Sequence, residues 1–241
     1  MNKEDINNKG AEPKSSKRRE IKSFVVRSAR MTESQQKAYD RHMEKWSVPS
    51  TINLISSETT HSNSQPLTLE IGFGMGDSLA QMAEAMPQEN FLGIEVHQAG
   101  IGRLLSLVEK KQLENVRVIC GDAVEVLKQR IKNNSIARVN IYFPDPWHKT
   151  RHHKRRLIQH DFIELLGNKI QTNGLLHIAT DWQPYANYIL QVMQSQKYFT
   201  NIAGDRAFSS AKELNRPETK FERRGLRLGH GVWDMAFRMQ S

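Results

Sequence analysis

The sequence predicts an α/β protein built on a doubly wound, mostly parallel sheet with helices on both faces. Three observations predict it. Short apolar runs alternate with helically spaced segments from Leu67 to Ser195. The first run ends in three alternating glycines. Acidic residues (Glu70, Glu95, Asp122, Asp145, Asp181) recur at or near the carboxyl ends of successive runs, the edge where such sheets bind ligands.

Leu67–Phe73 is a short apolar run closing in glycines, hence a buried strand. Ser78–Met86 has helical spacing and stops before Pro87. Phe91–Val96 reads as the second strand, Ala99–Lys111 as a helix and Val116–Cys120 as the third strand. Ala123–Arg130 (helix), Ala137–Phe143 (strand), His160–Ile170 (helix), Leu175–Thr180 (strand) and Pro184–Ser195 (helix) continue the alternation. Val232–Met239 alternates weakly and is expected as a late strand, antiparallel at or near the sheet edge. Residues 67–241 thus form the main domain, and 21–66 an N-terminal extension. Within it, the Ser/Thr/Asn-rich stretch 47–66 reads as a linker. Residues 1–20 are polar and expected to be a disordered basic tail.

The chain has 241 residues, enough for a substantial core, and one cysteine, which excludes an intrachain disulfide and a cysteine-rich zinc site. No apolar stretch is long enough to span a membrane and the polar start lacks a signal-peptide core, so a cytoplasmic protein is expected. The net charge of +9 is uneven. Residues 1–30 carry +5, residues 146–160 carry +5 and residues 212–241 carry +3, which leaves −4 for the rest. The run Arg151, His152, His153, Lys154, Arg155 and Arg156 follows an apolar strand, where a loop of clustered cations suits a phosphate backbone.

The glycines Gly72, Gly74 and Gly76 let the backbone turn tightly and approach a ligand. Their spacing is GxGxG, and Asp77 stands where a dinucleotide fingerprint has its third glycine. An acid there repels a pyrophosphate, which disfavours a dehydrogenase and favours a cofactor without phosphates. Glu95, ending the second strand, suits the ribose hydroxyls of a nucleoside. Asp122 suits an adenine amino group and equally an N-cap for the helix that follows. Pro144-Asp145-Pro146-Trp147 presents a carboxylate and an aromatic ring from a turn fixed by two prolines. His148 and His152 are four apart, but the surrounding Lys and Arg repel a divalent metal, so none is expected. Cys120 reads as a small core residue, and no GxSxG elbow occurs.

The segments LEIGFGMG, GIEV, YFPDPWHK, TDW, TKFERRG and LGHGVWD, with VVRSARMTESQ upstream, resemble the bacterial tRNA (guanine-N7)-methyltransferases in order and spacing over residues 21–240. The resemblance implies a Rossmann-like class I fold using S-adenosylmethionine (SAM) to methylate N7 of the guanine at position 46 in the tRNA variable loop. It implies that Glu70, Gly72, Gly74, Gly76, Glu95, Asp122 and Asp145 bind the cofactor, Asp145 being also catalytic. Lys149, Asp181, Thr219, Lys220, Phe221 and Glu222 would hold the substrate, and residues 151–156 would touch tRNA.

Guanine N7 carries a lone pair and no proton, so the reaction needs alignment and a fixed carboxylate for the migrating positive charge, with Asp145 in that role. Trp147 suits stacking on a base, and Asp181 and Glu222 suit hydrogen bonds from guanine N1–H and its amine. Two alternatives stay open at this point. PDPW also resembles the D/N-P-P-aromatic motifs of exocyclic-amine methyltransferases. A non-catalytic RNA-binding protein on the same fold is the other, although this chain keeps every cofactor acid and glycine.

Overall fold

The computed structural model describes residues 22–24, 30–219, 222–223 and 231–240. The tail 1–20, Lys220 and Phe221 lie outside the described residues. Helix α1 (Glu33–Trp46) and the short α2 (Ser57–His61) precede β1 (Leu67–Ile71), α3 (Asp77–Ala85), β2 (Asn90–Glu95), α4 (Gln98–Lys111) and β3 (Val116–Cys120). Then come α5 (Ala123–Gln129), β4 (Ile136–Tyr142), a 3-10 turn over Thr150–Arg155, α6 (His160–Lys169) and β5 (Ile170–Thr180). Helix α7 (Gln183–Gln194), β6 (Phe199–Asn201) and β7 (Trp233–Met239) complete the order.

The seven strands lie in the order β3-β2-β1-β4-β5-β7-β6, and β7 alone runs antiparallel to its neighbours β5 and β6. All five residues of β1 are buried, as a central strand covered on both faces requires. One core packs Leu69, Ile94 and Val139 against Leu127, Ile163 and Ile189 of α5, α6 and α7. The other packs Phe91, Val116 and Val118 against Leu79, Leu104 and Val108 of α3 and α4, with Trp46 of α1. The chain winds outward in both directions from β1 and β4, so a crevice opens above their carboxyl ends.

Five features depart from the sequence reading. The extension carries helix α1, started by a capping box in which Thr32 and Gln35 each bond the other's backbone N–H. It lies so close to α4 that a Cβ on Gly102 would stand 2.4 Å from the Gln35 carbonyl oxygen. The stretch 47–66, expected as a linker, is laid along the body. Val48 donates to the Val118 carbonyl (3.0 Å), and Ile55, fully buried, bonds Arg130 and Lys132 through its backbone. A few apolar anchors hold a segment whose average composition is that of a loop. Cys120, expected in the core, is exposed, because the last residue of β3 emerges from the sheet. Strand β5 also starts at Ile170, inside the expected helix boundary, and the edge strand β6 was not foreseen.

Candidate active site

The glycine loop leaves β1 with φ of +70°, +57° and +73° at Gly72, Gly74 and Gly76, values that favour residues without Cβ. Side chains at Gly72 and Gly74 would project into open space, so the loop leaves a cradle over the crevice. Across from it, a Cβ on Gly100 of α4 would stand 2.0 Å from the Gly74 carbonyl oxygen. Glu95 ties this loop to β2. Its carboxylate accepts from Gly74 N–H (2.9 Å), Val96 N–H (2.8 Å) and His97 N–H (3.0 Å). Two carboxylate oxygens have about four acceptor positions, so one stays available to a ligand. Asp77 pairs with Arg103 of α4 (3.3 Å).

Two adjoining cavities share Gly72, Tyr142 and Phe143. The first, an open cleft, is lined by Glu95, Asp122 and Asp145, together with Ser23 and Phe24 of the N-terminal arm. Asp122 lines the cleft and caps α5, accepting from Val124 N–H (3.0 Å). The second cavity is lined by the glycine loop, Glu70 and Thr219. Glu70 is 2% exposed and its Oε2 has no partner among the described residues. Burial pushes its carboxyl up to about 8, against the pull of Arg138. Asp181 and Lys149 line neither cavity.

The proline-fixed turn is flanked by two non-glycine residues in the left-handed region, Phe143 (φ +53°) and Trp147 (φ +47°). Such conformations are sparse and gather at functional turns. The Trp147 ring, expected to be free for a base, is already engaged. Its Nε1–H donates to Ser23 O (3.1 Å), and the Arg155 guanidinium lies 4.0 Å from its centroid. Arg155 also donates to the carbonyls of Lys22 and Phe24, so the pair fastens the arm that lines the cleft.

Arg156, expected on the RNA-facing run, is turned inward at 5% exposure. It donates to Pro146 O (2.9 Å) and packs over the rings of Trp182, Tyr185 and Tyr188. Lys149, Arg151 and Lys154 remain exposed. His152 is held below its ordinary value by desolvation and then by the cations Arg151, Arg155, Lys149 and Lys154.

Thr219 and Glu222 exchange a reciprocal pair of hydrogen bonds. Glu222 N–H donates to Thr219 Oγ1 (3.1 Å) and Thr219 N–H donates to Glu222 Oε2 (3.3 Å). The Glu222 carboxylate is taken by Arg216 through two bonds of 2.6 and 2.8 Å. Arg216 and His177, which join it with Asp234 in one buried network, carry no motif that singles them out in the sequence, whereas Asp234 ends the LGHGVWD segment. Gly100 was also missed, although two glycines inside a helix, Gly100 and Gly102, are a legible sign of close backbone approach.

A family model described as "Putative methyltransferase" matches residues 64–235. A protein from Alcanivorax borkumensis named tRNA (guanine-N(7)-)-methyltransferase is 46% identical over 238 residues, covering 98% of this chain and 99% of its own. One of the same name from Pseudomonas putida (strain W619) is 49% identical over 219 residues, 91% of each chain. Among solved structures, the 16S rRNA methyltransferase KamB superposes with a TM-score of 0.55 at 10% identity, covering 81% of this chain and 99% of that one. The aminoglycoside resistance methyltransferase NpmB1 gives 0.51 at 13% identity, covering 80% of this chain and 98% of that one. These two likenesses are of fold. With its glycine cradle, its acid-lined crevice and its near full-length relatives, the chain belongs to the tRNA (guanine-N7)-methyltransferase family.

Proposed function

We propose that this chain transfers the methyl group of S-adenosylmethionine to N7 of guanine in tRNA, at position 46 of the variable loop, in the cytoplasm. Asp145 carries the reading: an exposed carboxylate fixed between two prolines beyond the end of β4, on the wall of the cleft that holds Glu95 and Asp122. The open cradle at Gly72 and Gly74 and the unpartnered Glu70 carboxyl suit such a cofactor, whose positively charged sulfonium supplies an electrophilic methyl group. Glu95 and Asp122 orient the nucleoside half, while Gly72, Gly74 and Gly76 admit it. Glu70 faces the second cavity beside them.

N7 presents its lone pair without losing a proton, so no general base is required. Asp145 stabilises the positive charge as it passes to the purine, and the fixed turn holds that carboxylate before the reaction begins. The exposed cations Lys149, Arg151 and Lys154 meet tRNA phosphates, and Asp181 stands near the same sheet edge for the guanine.

The test incubates the chain with methyl-labelled SAM and an unmodified tRNA transcript, beside a transcript carrying adenine at position 46, and analyses the nucleosides. Label is expected in N7-methylguanosine from the first transcript only. Label on an exocyclic amine, or none in tRNA, would overturn the reading.

A further inference from the structure

No sequence motif points to Arg216, yet its side chain is wholly buried and grips an acid on either hand. One fork holds Glu222 (Nη1–Oε2 2.6 Å, Nη2–Oε1 2.8 Å). The other holds Asp234 of β7 (Nε–Oδ1 2.6 Å, Nη2–Oδ2 2.9 Å). Asp234 is fixed in turn by His177 of β5 (2.7 Å), whose other ring nitrogen lies 3.1 Å from the Tyr142 hydroxyl of β4. Arg138 Nη2, which can only donate, also lies 3.1 Å from that nitrogen, so Nδ1 accepts and the ring is neutral, and burial holds His177 below its ordinary value against the opposing pull of Asp234. Its Nε2–H then donates to Asp234, and Nδ1 accepts from Tyr142.

The network begins and ends on the cavity wall. Tyr142 borders both cavities, and Thr219, locked to Glu222, borders the second. Buried ion networks add little stability over apolar packing, and their best-supported contribution is a fixed geometry. The guanidinium also lies 5.8 Å from the Tyr142 ring centroid and 5.6 Å from that of Phe143, the residue leading into the Asp145 turn.

We propose that Arg216 is a positioning residue for methyl transfer, which holds Glu222 and, through it, Thr219 against the second cavity and touches neither cofactor nor base. Asp234 and His177 anchor it to the sheet, so β7 sets the wall of the second cavity on which Thr219 stands. This rests on the reading of the chain as a tRNA guanine-N7 methyltransferase.

The test is a double-mutant cycle of R216K, E222Q and the pair in the full chain, with tRNA turnover and SAM affinity both measured. Lysine keeps the charge but cannot make two forks. The kcat/KM for tRNA is expected to fall about tenfold or more in R216K. SAM affinity should stay within about twofold, and the double variant should be no worse than the poorer single.

Effects that multiply, a parallel loss of SAM affinity, or an R216K enzyme equal to wild type would overturn the proposal. Should R216K lack a cooperative unfolding transition, D234N is read in the same way. It should show the same selective loss of tRNA turnover, and an unimpaired D234N would overturn the proposal. A wild-type chain that leaves tRNA unlabelled would sink the functional reading and this one with it. Wild-type labelling with an unimpaired R216K would sink this one alone.

Discussion

Replacing Glu70 by glutamine removes one titrating carboxyl from the centre of β1 and keeps its shape. In the folded chain burial moves that carboxyl from 4.5 to about 8, whereas the unfolded chain exposes it to water. Between those pH values the folded state retains a proton that the unfolded state has released. Wild-type stability therefore loses about 1.4 kcal/mol per pH unit through this group as pH rises, an effect absent below pH 4.5 and complete above about 8. The whole interval amounts to about 5 kcal/mol, of which about 4 kcal/mol falls between pH 5 and pH 8.

Urea unfolding of wild type and E70Q at pH 5, 6, 7 and 8 isolates the effect, because the other titrating groups cancel in the difference. The E70Q variant should gain on wild type steadily from pH 5 to pH 8. A difference that stays flat, or that favours wild type as pH rises, would refute the burial argument.

Four further outcomes follow from the same geometry. Asp145→Asn should lower the single-turnover rate of tRNA methylation about a hundredfold or more, with an unchanged urea midpoint because the residue is exposed. Gly100→Ala places a methyl 2.0 Å from the Gly74 carbonyl oxygen, so it should cost about 2 kcal/mol in urea unfolding and weaken SAM binding measured by calorimetry. Neutralising Arg151 and Lys154 together should flatten the log–log salt dependence of tRNA binding by about 0.7 to 0.9 for each phosphate the two cations engage. By contrast Arg156→Gln should leave that slope unchanged and lower the urea midpoint, since its guanidinium is spent on Pro146 and three aromatic rings.

Much of the fold was legible because a strand buried on both faces is mostly apolar, as β1 (LTLEI) and β2 (NFLGIE) are, and each such run was found within a few residues. The crevice was legible for the same reason, since acids in or just after apolar runs mark one edge of a parallel sheet. What that pattern could not resolve was depth. The register pairs Glu70 with Gly93, two residues short of Glu95. Glu95 therefore reaches backbone N–H groups at the end of its strand, and Glu70 lies inside with its Oε2 unpartnered among the described residues. Helix α1 was hidden by its polar composition, although Thr32 and Gln35 carried a local capping signal.

The basic run exposes the deeper limit. Lys154, Arg155 and Arg156 are consecutive and of like charge, yet one faces solvent, one fastens the N-terminal arm and one lies buried. Their fates are set by Lys22 and Phe24 and by Tyr185 and Tyr188, residues far away in sequence, and a count of charge carries no information about partners. Arg216 is the same case in reverse. Within a segment of net +3 it looks like one more surface cation, and only the pairing of β7 with β5 brings Asp234 and His177 beneath it. Charge along the sequence thus locates the field that attracts a polyanion. Which cations meet it is decided by the packing that withdraws the others, and on the loop after β4 that leaves Lys149, Arg151 and Lys154 as the exposed cations.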